Sequence, residues 1–439
     1  MTNPIHFTTP DEAVKVIKSG DHVHLSSVAS APQCLINAMC RRGEAGELKN
    51  VHIHHLHTEG PAPYADPKFE GVFQLDSFFV GSNVRKVTQS GDADYIPVFL
   101  SETQKLYRCG AVPCNVAMIQ VCPPDKHGYV SLGTSVDATL AAVECADYVI
   151  AVVNKHVPRA FGQAMIPMSK IDLFVEDDTP LIEAKFSEPN EVEKAIGRHC
   201  AALIEDGATL QMGIGAIPNA VLSQLGNHKN LGVHTEMFAD GVLPLVAKGV
   251  INGEAKKTDP GKMVSTFLMG SQAVYDFIDD NPGVLMMDVG YTNDPYVISQ
   301  NDNFVAINSA LQIDLTGQVC ADSLGTKFWS GAGGQIDFVY GASLSKGGKA
   351  IIAMPAITNK GVSKICPTLL DGAGVVTTRF HVHWVVTEFG AVDLYGKSMQ
   401  ERARLLISIA HPSAQEELDR AAFERWGSHH HYIKSYMGK

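Results

Sequence analysis

Three short segments of this chain gather residue types that can do chemistry. In Val233-His-Thr-Glu236-Met-Phe-Ala-Asp240-Gly a carboxylate falls where a strand should give way to a loop. Ligand sites of open α/β sheets lie off the carboxyl ends of strands, so a charged group there is placed for function. For a lone glutamate, a solvated loop acid is usually the better explanation. Glu236 stands 18 residues after Pro218, which ends the segment Gly213-Ile-Gly-Ala-Ile-Pro218. Glycines between a strand and a helix let the backbone approach a ligand and aim N–H groups at an anion. This loop is not the dinucleotide fingerprint, because Pro218 replaces its third glycine, and a plain tight turn is the rival explanation. The third segment, Trp329-Ser-Gly331-Ala-Gly333-Gly334-Gln-Ile-Asp337-Phe338, packs three glycines into four residues. Such density favours a concave nest of N–H donors for an oxyanion or phosphate. A flexible linker would lack the flanking Trp, Ile and Phe.

Other groups compete with these. A second His-Thr-Glu, at His57-Thr58-Glu59, makes Glu59 the rival of Glu236, in a wetter and Pro-rich setting (EGPAPYADP). His52, His54, His55 and His57 look like a metal cluster. On a strand, however, the first and second share one face while the third and fourth share the other. No spacing matches a closed zinc site, so no metal is expected. His381 and His383 flank a buried-looking strand and are expected to satisfy core hydrogen bonds, while His429–His431 resemble a tag remnant. Neither a Gly-x-Ser-x-Gly elbow nor a Walker loop is present.

The elements that must position these residues alternate in type. Asp11–Lys18 predicts a helix closed by Gly20, with HVHLSSV as the following strand. Apolar runs recur at VAMIQV (116–121), YVIAVV (148–153), AIIAMP (350–355) and WVVTEF (384–389), separated by segments of helical period. Continuous apolar strands between helices indicate an α/β protein with mainly parallel, two-sided sheets. IKSGDHVHLSSVASAP (17–32) also lies over IEDGATLQMGIGAIP (204–218) with a one-residue gap. Helix, Gly, strand, small-residue loop, Pro and helix recur in the same order, which points to internal duplication. Two similar domains follow, 1–189 and 190–439, with the junction in the polar stretch Ser187–Glu191.

Composition bounds the partners. The chain has 439 residues, 35 Lys+Arg against 47 Asp+Glu and a formal net charge of −12. It has no excess of cations to neutralise the phosphates of nucleic acid. The opening residues lack the basic and apolar stretches of a secretory signal. No apolar run approaches the roughly 18 residues of a membrane span. Nine cysteines, odd in number and without a Cys-x-x-Cys pair, read as free thiols of a reducing cytoplasm.

In order, GIGAIP, HTEMFADG, SGAGGQIDF and VTEFGAVDL (386–394) resemble the acetyl-CoA hydrolase/transferase family. Within it they are most similar to the 4-hydroxybutyrate and butyryl-CoA:acetate CoA-transferases. FFVGSNVRK (78–86), ADYIPVFLSE (93–102) and PPDKHGYVSLGTS (123–135) extend the likeness over nearly the whole chain. The resemblance implies two similar open α/β domains of the CoA-transferase type. By it, Glu236 matches the nucleophile that becomes a glutamyl-CoA thioester, and Asn293 in YTNDP matches an asparagine supporting that glutamate. Gly213, Ile214, Gly215, Ala216 and Ile217 match a CoA-binding segment, to which Leu311, Gly334 and, more faintly, Gly361 are added. Gly331, Gly333 and Gly334 are then the nest for the oxyanions. The implied activity is ping-pong transfer of CoA between a short-chain acyl-CoA (acetyl, butyryl or 4-hydroxybutyryl) and a free carboxylate. An acyl-CoA hydrolase using water is the alternative. A non-catalytic ligand-sensing module is remote, since no basic DNA-binding segment accompanies it. CoA enters as a co-substrate with no tightly bound cofactor. The partners are acyl-CoA and short-chain carboxylates, with no nucleic acid or membrane, in a homodimer or pair of dimers.

Overall fold

A computed structural model describes residues 5–184 and 187–427; His429–His431 lie outside the described residues. Among these, one sheet has eight strands in the spatial order Phe7–Thr8, Leu173–Glu176, Tyr148–Val153, Val116–Val121, His22–Leu25, Val51–His54, Phe73–Ser77, Asp94–Tyr95. All its neighbouring pairs are parallel. A second sheet runs Gly232–Val233, Thr209–Met212, Phe304–Asn308, Lys349–Ala353, Trp384–Thr387, Gly390–Asp393. Its pairs are parallel except the last. The apolar run at 384–389 therefore ends early, where Glu388 and Phe389 turn a tight hairpin.

Period-two alternation splits each central strand between two apolar layers. Ala117, Ile119 and Val121 join Leu210, Val305 and Ile351 in one continuous core that spans both sheets. The opposite face of the first sheet, with Val116 and Met118, packs on Leu35, Ile36 and Met39 of the helix Gln33–Glu44. In the second sheet, Phe304, Ala306 and Ile352 pack away from the shared core, against Leu406 and Ile407 of the helix Met399–Ser408. Covered on both faces, these strands need no polar alternation.

The repeated segments have equivalent places. Gly20 (φ +84°) and Gly207 (φ +78°) make the left-handed turns before His22–Leu25 and Thr209–Met212. The first helix is shorter than predicted, α-helical over Pro10–Ala13 and a 3₁₀ turn over Val14–Val16. Its counterpart, Glu191–Ala201, starts on a capping box in which Asn190 and Glu193 satisfy each other's backbone N–H groups. Pro32 precedes its helix, whereas Pro218 lies inside the first turn of Ala216–Gln224. Gly197 permits this last helix to sit close, since a Cβ there would come 2.7 Å from the Ala220 carbonyl carbon.

The two halves are stitched by backbone. Phe161–Gly162 adds to Val284–Met286 as a parallel strand, and Ser135 bridges to Phe267. No described helix is long and apolar enough to cross a membrane. His381 and His383 are half-buried surface groups and not core ones as expected. The first bonds Thr378, and the second packs on the Tyr395 ring, because the strand begins only at Trp384.

Candidate active site

In the second sheet, connections leave Thr209–Met212 toward neighbours on opposite sides, which opens a crevice at the strands' carboxyl ends. There lies a cavity of about 200 Å³, lined by Gln211, Met212 and Gly213 at the end of one strand and Asn308 at the end of the next. Glu236, Met237 and the turn from Ser330 to Gln335 complete it from the same half, and Phe79 from the other.

Glu236 sits between two two-residue strands, Gly232–Val233 and Met237–Phe238. Its backbone is clamped. The Glu236 carbonyl accepts from Thr266 N–H (3.1 Å), Phe267 N–H (3.2 Å) and Ser265 Oγ (2.9 Å). Thr235 Oγ1 donates to the Met212 carbonyl, and buried His234 donates through Nε2 to that of Thr292. The carboxylate itself accepts from Asn293 Nδ2, 3.2 Å from Oε2, and from the backbone N–H of Gly334. Burial pushes the Glu236 carboxyl up to about 7 and the charge of Asp337 adds to the rise, against the lowering by its two donors.

Asn293 follows the one-turn helix Val289–Thr292 and is fully buried. Its Nδ2 also lies 3.2 Å from Asp337 Oδ2. Asp337 is in the first turn of the helix Gln335–Leu344, and burial pushes its carboxyl up to about 6.

The glycines answer to different demands. A Cβ on Gly334 would overlap Glu236 Oε2 and Asn293 Nδ2. Gly333 holds a left-handed φ of +58° beside Phe79, and Gly331 is packed against Phe79 and Tyr95. Gly215 (φ +112°) caps Ala216–Gln224, and at both Gly213 and Gly215 a Cβ would meet nothing within 4 Å. Their backbone is thus open to an incoming group. Ile214, Ala216 and Ile217 carry that loop into the helix. The structure brings Glu236, Asn293, Gly213, Gly331, Gly333 and Gly334 together. It does not put Ile214, Gly215, Ala216, Ile217, Leu311 or Gly361 in the cavity lining. Leu311 bonds Cys320 just past Asn308, and Gly361 (φ +77°) closes a turn onto Thr358.

Sequence reasoning missed the residues of the first half that meet this site. Leu100 N–H donates to the Gly333 carbonyl at 3.0 Å, and Ser101 donates to Asp337 through N–H (3.1 Å) and Oγ (2.8 Å). Arg85 Nε donates to the Trp329 carbonyl at 2.6 Å with its guanidinium over the Trp329 ring. The one available signal was Asp337 itself, a lone acid between Ile336 and Phe338. Glu59 is half-buried and not wet as expected, with its carboxyl pushed up by that burial. Its neighbour His57 packs on Phe79 and Phe267, so the two His-Thr-Glu segments approach across those rings. The histidines pair with each other and with Asp76. His22 bonds His54 at 2.7 Å and stacks on His52, which bonds Asp76 at 2.6 Å. Among the described residues no group of three or more His, Cys, Asp or Glu is placed to hold a metal ion.

An α/β protein with two large sheets and a buried carboxylate beside glycine loops at a strand switch point is the class that fold and site define. Sequence patterns of the acetyl-CoA hydrolase/transferase N-terminal and C-terminal domains match residues 4–183 and 270–422. The chain belongs to the acetyl-CoA hydrolase/transferase family. It is 50% identical over 418 residues to a succinyl-CoA:acetate/propanoyl-CoA:succinate CoA transferase of Fasciola hepatica, covering 94% of this chain and 87% of that one. It is 48% identical to the 4-hydroxybutyrate coenzyme A transferase of Clostridium kluyveri, covering 93% and 95%. The crystal structure of a 4-hydroxybutyrate CoA-transferase from Porphyromonas gingivalis superposes with a TM-score of 0.83 at 38% identity, covering 96% and 98%.

Proposed function

We propose that this chain is a CoA-transferase in which Glu236 carries CoA from a short-chain acyl-CoA to a free carboxylate. As an enzyme it moves CoA between carboxylic acids. Glu236 attacks the thioester carbonyl, the C–S bond breaks, and a mixed acyl–glutamyl anhydride forms beside CoA thiolate. The thiolate attacks the glutamyl carbonyl and expels the first acid as its carboxylate, leaving a glutamyl-CoA thioester. An acceptor carboxylate then runs the two steps in reverse. No net proton moves, and the kinetics are ping-pong.

The observation that carries this reading is the asymmetry of the Glu236 carboxylate. Oε2 is tied to Asn293, whereas Oε1 lies beside the glycine turn, 4.0 Å from where a Gly333 Cβ would sit. A carboxyl raised toward 7 is also a better nucleophile than an ordinary one, while still ionised in part at neutral pH. The N–H groups of Gly331, Gly333 and Gly334 receive the oxyanions. The 213–217 loop, with Leu311 and Gly361, holds CoA, and binding energy from its remote parts is expressed at the reacting end. Acetyl, butyryl, 4-hydroxybutyryl, propanoyl and succinyl groups are the candidate acyl chains. The division into domains 1–189 and 190–439, a cytoplasmic location, and assembly as a homodimer or pair of dimers complete the reading. Nine unpaired cysteines agree with a reducing compartment.

Mass spectrometry after acyl-CoA exposure and borohydride reduction tests the nucleophile. The modification is expected on the Glu236 peptide, absent from E236Q, and one on Glu59 would refute the assignment. Formation of the acceptor's acyl-CoA from acetyl-CoA and butyrate, with no free CoA released, is expected of the transferase. Free CoA released without an acceptor acid would mark a hydrolase.

A further inference from the structure

We propose that Asp337 is a positioning residue for Glu236, acting through Asn293 and itself held by Ser101 from the other half of the chain. This rests on the reading of Glu236 as nucleophile. Both amide hydrogens of Asn293 are committed, one to Glu236 Oε2 and one to Asp337 Oδ2, each at 3.2 Å. Asn293 Oδ1 is buried without a partner. Among the described residues the two carboxylates are thus the hydrogen-bond partners that orient this side chain. Turning the amide over would aim its oxygen at two acceptors, so Asp337 enforces the orientation that donates to Glu236.

Asp337 is in turn fixed from across the interface. Ser101 donates to Oδ2 through its backbone N–H and to Oδ1 through Oγ, from the first turn of the helix Leu100–Arg108. The preceding residue, Leu100, bonds the Gly333 carbonyl. One helix turn of the first half thus holds both the glycine loop and the acid behind the nucleophile's amide. Glu102 on the same turn is the other charged group facing Asp337. Neither Glu236 nor Asp337 forms an ion pair with a cation among the described residues. With Asp337 ionised, its charge opposes ionisation of Glu236 and keeps the nucleophile basic.

The pH profile of kcat/KM for acyl-CoA tests this. In D337N the acid limb is expected to move to lower pH by roughly half a unit or more, because a neighbouring negative charge is gone. kcat should fall about tenfold with KM changed less than about twofold, the pattern of a misoriented group and not of lost substrate binding. An acid limb that stays or moves upward overturns the proposal, whatever happens to kcat. S101A should lower kcat about fivefold and S101T should restore it; wild-type kcat in S101A also overturns it. If D337N fails to fold, the Ser101 pair decides alone. Borohydride trapping in the wild type separates the two readings. A label elsewhere than Glu236 removes the nucleophile assignment, whereas a label on Glu236 with an unmoved limb removes only the role of Asp337.

Discussion

Gly334 has no room for any side chain, and what fills that room is the carboxylate of Glu236 and the amide of Asn293. Its φ of −97° is open to every residue, so the requirement is steric and not conformational. G334A must displace the Glu236 carboxylate or its donor Asn293. With Glu236 as the proposed nucleophile, transfer activity is expected to fall by about a hundredfold or more, because a displaced carboxylate and a lost donor act on the same transition state. Steady-state rates at unchanged circular dichroism check this. Glu236 and Gly334, which both line the cavity, stand out in sequence because their motifs are local. Asn293 was reached only through family likeness, since 57 residues separate it from Glu236 and only the fold closes that gap.

At the scale of elements, the turn carrying Gly331–Gly334 is strapped from outside. The short helix Arg85–Ser90 buries no residue of its own. It meets the turn through Arg85 on the Trp329 carbonyl and ring (4.1 Å to the ring centroid) and Gln89 on the Phe328 carbonyl. R85A removes a stacking and a hydrogen-bonding contact together, and lysine cannot supply both. A drop of about tenfold in kcat/KM is expected for R85A, with Tm within about 2 °C of wild type because the site is half-exposed. R85K should fall between. Assays beside thermal melts measure both. The sequence showed FFVGSNVRK as a family segment, but no periodicity could reveal that its arginine docks on a loop 244 residues away.

For the molecule as a whole, the buried histidines dominate the response to acid. Burial lowers His24, His55 and His234 to about 3, and His54 and His57 to about 4. Their folded values lie below the unfolded value near 6.5. The stability they permit is therefore full above about 6.5 and is lost as pH falls toward the folded values. Glu236 and Asp337 have raised values and act oppositely, losing stability as pH rises through about 7 and 6. Burial raises Glu59 and Asp137 as well, and the five histidines outnumber these four carboxyls. Tm measured by calorimetry should fall steeply between pH 6.5 and 4, on the order of 10 °C. A flat profile across that range would contradict the burial of these rings.

By itself the sequence determined the alternation of parallel strands and helices, the duplicated plan, and the segments proposed to carry the chemistry. Those follow from hydrophobic period and from glycine and proline punctuation, which act over a few residues. Only the tertiary structure decided which acid is set against glycine loops and amide donors, and which residues hold it there. Glu236 and Glu59 share the same His-Thr-Glu context in sequence. What separates them is Asn293, Asp337 and Gly334 around the first. Ser101 and Arg85, from the other half, secure those neighbours. The carboxyl's raised basicity arises from that enclosure, because removal from water and a nearby like charge are properties of packing that no stretch of chain contains.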